Sequence, residues 1–456
     1  MILTLLIIIY MRFNIGDKKI LLEVLKDDYN LEKNIKLNCI AIDSNTVKKG
    51  DMFIAIKGEN VNGHKFIDAA INNGASLIVS SERIEISTKI GLIKTSCTKK
   101  FIKDIATKYR SKFKLKIIAI TGTNGKTTTK ELLYDVINKK FHTFKNKGNF
   151  NSTIGLPLSI LNINKNIEFG VVELGASRTG EIGLLSNIVK PYIGVITNIS
   201  IAHLETFKTF NNIIKTKLEL FENIQKNGYI VRNVDDQNIR ESNKIDNDVS
   251  YGYENKADYK GKILSVDGGY KILVGNDEFF INKNCYSILY NFLPIYSIAK
   301  ILNIESEYIQ IALDNFKAPE YRGKIIKKNS ITIIDDSYNA NFQSMKLGLD
   351  WVSNLIGYNV KIVVIGEMNE LGDMSEKLHI DLGKLISKLS IDYVLCIGLK
   401  TKDIIKNIIN PKIFTFYFES KSHLSTYLKS IINKNDLIYI KGSRSNNLDT
   451  IVEDII

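Results

Sequence analysis

Residues 117–130 read IIAITGTNGKTTTK, and no other stretch restricts the fold of this chain as strongly. Ile117-Ile118-Ala119-Ile120 is an apolar, mostly β-branched run of the kind that forms a buried strand. Gly122 and Gly125 carry no Cβ, so the backbone turns tightly and comes close to a ligand. From Lys126 onward, KTTTKELLYDVINKK has helical spacing. Strand, glycine loop and helix together make an anion cradle. Unpaired amides at the helix start point at phosphate oxygens, and the helix dipole favours negative charge there. In such a loop Lys126 reaches the β- and γ-phosphates of a nucleotide, and the Thr127 hydroxyl holds Mg²⁺. Ile120 stands where the strict G-x-x-x-x-G-K-[ST] pattern has its first glycine, so the motif is G-x-x-G-K-T-T. The competing explanation is a chance glycine turn, which would not need the strand before it and the helix after it.

The 456 residues are enough for about three domains. Pattern divides them into blocks 12–112, 113–315 and 316–456. The first holds short strands such as DMFIAIKG and SLIVSS, with a helical stretch near 65–73. In the second, strands and helices alternate around the phosphate loop: FGVVELG and IGVITNI read as buried strands, NNIIKTKLELFENI as a helix. The third resumes the alternation with ITIIDDS, KIVVIGE, DYVLCIG, a weak strand at IFTFYF and DLIYIKG, with helices between them. This is an α/β chain, and its alternation predicts mainly parallel sheets covered on both faces. Ligands in such sheets bind at the carboxyl ends of strands.

Charge and cysteines narrow the function classes. The net charge is +13, but the basic residues are spread along the chain without a dense block. Lys, Ile and Asn are abundant and only five prolines occur, as biased codon usage would give. A nucleic-acid binder that used ATP as a switch would need a clustered basic face with interleaved aromatics, and the sequence has none. Cys39, Cys97, Cys285 and Cys396 are scattered, with no paired ligand spacing; a reducing compartment and no structural zinc are expected. The opening MILTLLIIIY is apolar but shorter than the ~20 residues that span a bilayer. No basic segment precedes it and no small-residue cleavage site follows it. Translation from Met11, or a frayed extension, is the expectation, with no stable membrane insertion.

Two residues near strand ends and one lysine in a predicted helix draw notice. Glu173 closes FGVVE, where a carboxylate reaches a Mg²⁺ held by Thr127; a solvated strand terminus is the equal alternative. His203 follows IGVITNI and is one of five histidines; a satisfied surface histidine is the bland alternative to a ligand. Lys217, in IIKTKLELF, is by composition one lysine among many.

The motifs TGTNGKTTT, GNFNSTIGLP, VVELGASRTGEI and TNISIAHLETF…KTKLELF together resemble the central domain of the Mur ligases. DSNTVKKGDMFIAIKGENVNGHKFIDAAINNGAS resembles their uridine-nucleotide-binding domain. IDDSYNANFQSM, IGEMNELGDMSEKLH and IKGSRSNNL resemble the members of that family that add D-alanyl-D-alanine. The resemblance implies three domains: a small α/β uridine-nucleotide domain, a central phosphate-loop ATPase domain and a Rossmann-like carboxyl-terminal domain. It implies that ATP phosphorylates the terminal carboxylate of UDP-N-acetylmuramoyl-tripeptide, and that the amine of D-alanyl-D-alanine attacks the acyl phosphate. By the same resemblance, Gly122, Thr123, Asn124, Gly125, Lys126, Thr127 and Thr128 hold ATP phosphates. Thr127 and Glu173 bind one Mg²⁺ and His203 a second, with Lys217 carried as a carbamate. Such a change would turn a cation of pKa about 10.4 into an anion with oxygen donors, the ligand type Mg²⁺ takes. Asn149 and Asn151 match substrate- and phosphate-side asparagines, Asn291 the residue facing adenine, Asp336 the acid on ribose, and Ser44 a serine of the uridine-nucleotide domain. A cytoplasmic monomer is expected.

The chain departs from the family pattern in places. Asp43-Ser44-Asn45 stands for Asp-Ser-Arg, Ser287-Ile288 for a His-Asn pair, Arg322-Gly323-Lys324 for the hinge Gly-Arg, and Phe342 for a proline. Arg322 or Lys324 takes the hinge arginine's place on the phosphates, Arg322 being the preferred one. The sister ligase that adds diaminopimelate or lysine carries an Asp-Asn-Pro-Arg motif absent here, and a folate polyglutamate ligase would not account for GASRTGEI or DDSYNAN. A scaffold that has lost catalysis would not keep Lys126, Thr127, Glu173, His203 and Lys217.

Overall fold

The computed structural model describes residues 11–29, 31, 35–86 and 89–456, without the side chain of residue 284; the apolar opening MILTLLIIIY lies outside the described residues. Strands among the described residues form three sheets. The first runs in chain order from Arg12–Asn14, antiparallel to Cys39–Ala41, through Met52–Ile54, Leu77–Ser80 and Gly91–Lys94, all parallel. Successive side chains of a strand leave on opposite faces. Met52 and Ile54 accordingly join the cluster under helices Lys18–Tyr29 and Thr98–Ser111, while Phe53 and Ala55 pack against helix Ile67–Asn72. Arg110, on the last of the long helices, donates to the carbonyls of Phe113, Leu115 and Val189 at 2.9, 2.9 and 3.1 Å. It thereby ties the first sheet's layer to the central one, and burial lowers its pKa to about 10.

The central sheet has nine strands. From one edge they are Thr143–Lys145, Phe169–Glu173, Lys116–Thr121, Pro191–Ile196, Tyr229–Asn233, Asp248–Gly252 and Tyr259–Val266, all parallel, then Gly269–Val274 and Asp277–Asn282, antiparallel. The chain leaves Lys116–Thr121 to build strands on one side and then returns to build on the other. That switch opens a crevice at the strand's carboxyl end, where the glycine loop lies. The terminal antiparallel ribbon departs from the expected strand–helix alternation: residues 259–282 fold locally, through turns at Gly268 (φ +77°) and Gly275 (φ +58°).

The third sheet runs Lys324–Lys328, Ile331–Asp335, Leu437–Lys441, Lys361–Ile365, Tyr393–Ile397, Phe414–Phe418, with the first strand antiparallel and the rest parallel. It packs against the central layer. Tyr286 stacks on Trp351 with centroids 3.7 Å apart and planes 8° from parallel, inside one apolar cluster that joins both layers. This packing brings the ends of the second and third sheets together.

Candidate active site

The phosphate loop is built where only glycine fits. A Cβ on Gly122 (φ +141°) would lie 1.9 Å from Thr197 Oγ1, and one on Gly125 (φ +81°) would lie 2.0 Å from Asn291 Oδ1. The loop is braced by the segment after Pro191–Ile196. Thr123 N donates to Asn198 O at 2.8 Å, Asn124 N to Asn198 Oδ1 at 3.1 Å, and Thr197 Oγ1 to Asn124 O at 2.6 Å. Thr128 is buried in the first turn of helix Lys126–Ile137, behind the loop.

Two lysine side chains converge on one carbonyl. Lys126 Nζ donates to Gly122 O at 2.9 Å and to Thr123 O at 3.0 Å, and Lys217 Nζ donates to Gly122 O at 3.0 Å. Lys217 comes from helix Phe210–Glu222 and is buried. Burial, then Lys126, push its pKa well below the ordinary lysine range. Lys126 is lowered by burial as well, with Glu173 acting against the shift and Arg322 adding to it. Such a site is short of negative charge and suits a polyphosphate tail.

Glu173 faces these cations from the end of its strand. Its Oε2 accepts from Thr127 Oγ1 at 2.7 Å, and its Oε1 from Asn151 Nδ2 at 2.7 Å. Burial pushes the carboxyl up, but Lys126, Arg322, Lys130 and the Thr127 hydrogen bond outweigh it and hold the pKa below the usual carboxylate range. Asn146 fixes the strand end, accepting from Glu173 N at 2.9 Å and donating to Phe150 O at 2.9 Å. Thr127 and Glu173 thus present hard oxygen donors side by side, as Mg²⁺ requires. Among the described residues no group of three or more His, Cys, Asp or Glu is placed to hold a metal ion, so ligands beyond this pair would come from phosphate oxygens, water or a modified side chain.

His203 follows strand Pro191–Ile196, in left-handed backbone (φ +53°). Its Nδ1 meets Glu370 Oε2 of the third layer. Burial lowers its pKa, with Glu370 opposing and Lys126 and Lys217 adding to the shift.

The third layer contributes more. Asn124 and Asn341 exchange side-chain amide bonds, Asn124 Nδ2 to Asn341 Oδ1 at 3.2 Å and Asn341 Nδ2 to Asn124 Oδ1 at 2.7 Å. Arg322 stacks on Tyr338 at 3.8 Å and is close enough to act on Lys126 and Glu173, whereas Lys324 is exposed on its strand. Asp336 Oδ2 accepts from Lys441 Nζ at 2.7 Å and Tyr439 OH at 2.8 Å. Asn291 presses on Gly125 and accepts from Thr129 Oγ1 at 3.4 Å. Asn149 is exposed beside Asn151. Ser44 is buried in the first layer, where its carbonyl accepts from Asn73 Nδ2 at 2.8 Å. Sequence reasoning did not single out Asn146, Asn198, Asn341 or Glu370; Asn198, Asn341 and Glu370 lay within quoted motifs, whereas Asn146 lay outside them.

Residues 36–116 match the Mur ligase family catalytic domain, 120–299 the Mur ligase middle domain, and 321–444 the Mur ligase glutamate ligase domain. A UDP-N-acetylmuramoyl-tripeptide–D-alanyl-D-alanine ligase of Rickettsia prowazekii is 34% identical over 93% of this chain and 96% of its own length. The chain belongs to the Mur ligase family. The ligase of the same name from Bacillus subtilis is 30% identical over 91% of this Mur ligase and 93% of its own chain. Among solved structures, the MurF of Acinetobacter baumannii superposes with a TM-score of 0.87 at 26% identity, covering 97% of this chain and 99% of that one. The MurF ligase of Thermotoga maritima in complex with ADP superposes with 0.82 at 28% identity, covering 91% and 96%. This Mur ligase therefore has the three-domain fold of its family, and it is an ATP-dependent, ADP-forming ligase.

Proposed function

We propose that this Mur ligase joins D-alanyl-D-alanine to UDP-N-acetylmuramoyl-tripeptide with cleavage of ATP to ADP and phosphate, the last cytoplasmic step in assembling the peptidoglycan precursor peptide. One observation carries the assignment: the phosphate loop and the IDDSYNAN motif form a single site, joined by the paired amides of Asn124 and Asn341. Near-full-length similarity to ligases of that name supports the same substrates. The sister reaction with diaminopimelate or lysine has no such support.

The chemistry follows from charge. An oxygen of the tripeptide's terminal carboxylate bonds to the γ-phosphorus as the bond to the ADP oxygen breaks. The amine of D-alanyl-D-alanine then attacks the acyl carbon, and phosphate leaves from the tetrahedral intermediate with loss of the amine proton. Both steps crowd anions together, so positioning and neutralisation do most of the work. Lys126 and the loop amides hold the γ-phosphate. Arg322 faces the same anions, Asn291 the adenine, Asp336 the ribose, Asn149 and Asn151 the substrate and phosphate side, and Ser44 the uridine nucleotide. Thr127 and Glu173 would hold one Mg²⁺, and His203, through the nitrogen not facing Glu370, a second. Bound there, Mg²⁺ would supply charge neutralisation between phosphate and carboxylate. Lys217 becomes a carbamate when its neutral amine bonds to CO₂ and loses a proton; burial beside Lys126 favours the neutral amine this needs.

Domains of 12–112, 113–315 and 316–456 complete the proposal, acting as a cytoplasmic monomer without nucleic acid. Among the described residues no helix is long and apolar enough to cross a membrane. The test is phosphate release by the purified protein given ATP, Mg²⁺ and UDP-muramoyl-tripeptide. Release that depends on D-alanyl-D-alanine supports the assignment; release that depends instead on free diaminopimelate overturns it.

A further inference from the structure

Lys130 lies one turn beyond Lys126 on the phosphate-loop helix, and its side chain is wholly buried. A lysine ammonium out of water is costly unless its three N–H donors are all met. Here they are. Lys130 Nζ donates to Asn146 O at 2.8 Å and Gly148 O at 3.2 Å, and pairs with Glu131 Oε1 at 2.9 Å. Glu131 is held in turn by Lys145 at 2.5 Å, whose ammonium sits 3.9 Å from the Tyr134 ring centroid.

Where those bonds go matters. Residues 146–151 form an irregular connection between the edge strand Thr143–Lys145 and the turn into helix Gly155–Ile160. Such a segment has no ladder to fix it. Its anchors include the grip of Lys130 on two carbonyls, the bonds of Asn146 to Glu173 N and Phe150 O, the bond of Asn151 Nδ2 to Glu173 Oε1, and the bond of Gly175 N to Asn151 O. The segment carries Asn149 and Asn151, the asparagines assigned to the substrate and phosphate side of the site. A core residue with only a packing role at this helix position would be apolar; an ammonium aimed at main-chain carbonyls holds the path of the segment itself.

We propose that Lys130 is a positioning residue for the UDP-linked peptide: through the carbonyls of Asn146 and Gly148 it sets the segment that presents Asn149 and Asn151 to that substrate. This rests on the assignment of the substrate made above. Displacing the segment would weaken binding of the peptide acid; the phosphate loop is braced separately by Thr197 and Asn198, and Glu173, which bonds Asn146 and Asn151, keeps its own bond to Thr127.

The experiment measures KM for ATP, UDP-muramoyl-tripeptide and D-alanyl-D-alanine, with kcat and melting temperature, for the full-length enzyme and for Lys130→Met and Lys130→Arg. Lys130→Met is expected to raise KM for the UDP-peptide at least tenfold and that for ATP less than threefold. Lys130→Arg, which keeps charge and donors, is expected to recover part of the loss. Equal rises for all three substrates, or a lower melting temperature with unchanged KM values, overturn the proposal. If Lys130→Met does not fold, Lys130→Arg decides: a rise confined to the UDP-peptide supports the positioning role, and no selective rise overturns it. A wild-type enzyme without D-alanyl-D-alanine-dependent phosphate release would overturn the substrate assignment instead.

Discussion

His203 and Glu370, 167 positions apart in sequence, meet across the boundary between the central and third layers, and both stand in left-handed backbone, φ +53° and +61°. Non-glycine residues pay for that conformation, so two of them face to face mark a contact that the surrounding fold enforces. The backbone adds a second tie, Glu205 N to Glu370 O at 3.3 Å. With Nδ1 of His203 turned to the carboxylate, Nε2 is left free for a ligand, the arrangement by which outer groups orient a metal-binding imidazole.

Removing that carboxylate should therefore cost activity rather than stability. Glu370→Ala is expected to lower kcat about tenfold, and Glu370→Gln, whose amide oxygen still accepts, to lower it less. The Glu370 side chain is 53% exposed, so melting temperature should stay near wild type. A melting shift with unchanged kcat would count against the orienting role.

Lys217 gives a test in two parts. Lys217→Ala should lose activity and regain part of it with formate or acetate, which restore oxygen donors in the vacated space. In the wild type, the lowered amine pKa leaves a larger neutral fraction near pH 7 than an ordinary lysine has. As pH falls, the amine protonates and the proposed carbamate would revert to CO₂, so activity should decline on the acid side and recover with added bicarbonate. Full activity of Lys217→Ala without rescue would remove the carbamate.

Gly125→Ala combines two penalties. The left-handed backbone (φ +81°) costs an alanine about 1–2 kcal/mol, and the new methyl would lie 2.0 Å from Asn291 Oδ1. Asn291 must move, and with it the contact proposed for adenine. Calorimetry with a non-hydrolysable ATP analogue should show affinity reduced more than tenfold, with UDP-peptide binding little changed.

The parts legible in the sequence were those with local causes. Strand, glycine loop and helix at 117–137 need only neighbours a few residues away, and the observed strand Lys116–Thr121 and helix Lys126–Ile137 fall there. The ribbon at 259–282 was missed although Asp267-Gly268 and Gly275-Asn276 are turn dipeptides; the alternation on either side concealed them. Contacts between layers left no local trace. Nothing near Asn124 announces Asn341, 217 residues away, because the pair exists only once the apolar cluster around Tyr286 and Trp351 has joined the two layers. Lys130 was hidden for a different reason: in a lysine-rich chain one buried ammonium looks like every solvated one.

The acid response of stability gives an independent measure of the network around Lys130. Burial pushes the Glu131 carboxyl up, but Lys130 and Lys145 outweigh it and hold its pKa below the ordinary 4.5. A carboxyl so depressed contributes stability that is fully present above its unfolded value and is lost as pH falls through its folded one. Glu131→Gln should therefore be less stable than wild type at pH 7, since the Lys130 charge loses its anionic partner while remaining buried. As pH falls below the ordinary 4.5 toward the lower folded value, the wild type loses this stabilisation, and the gap between the two proteins should narrow. Urea unfolding at pH 7, 5 and 3.5 reads this directly: a gap that narrows toward acid supports a charged Lys130–Glu131–Lys145 cluster in the folded protein, and a gap independent of pH means that Glu131 contributes by packing alone.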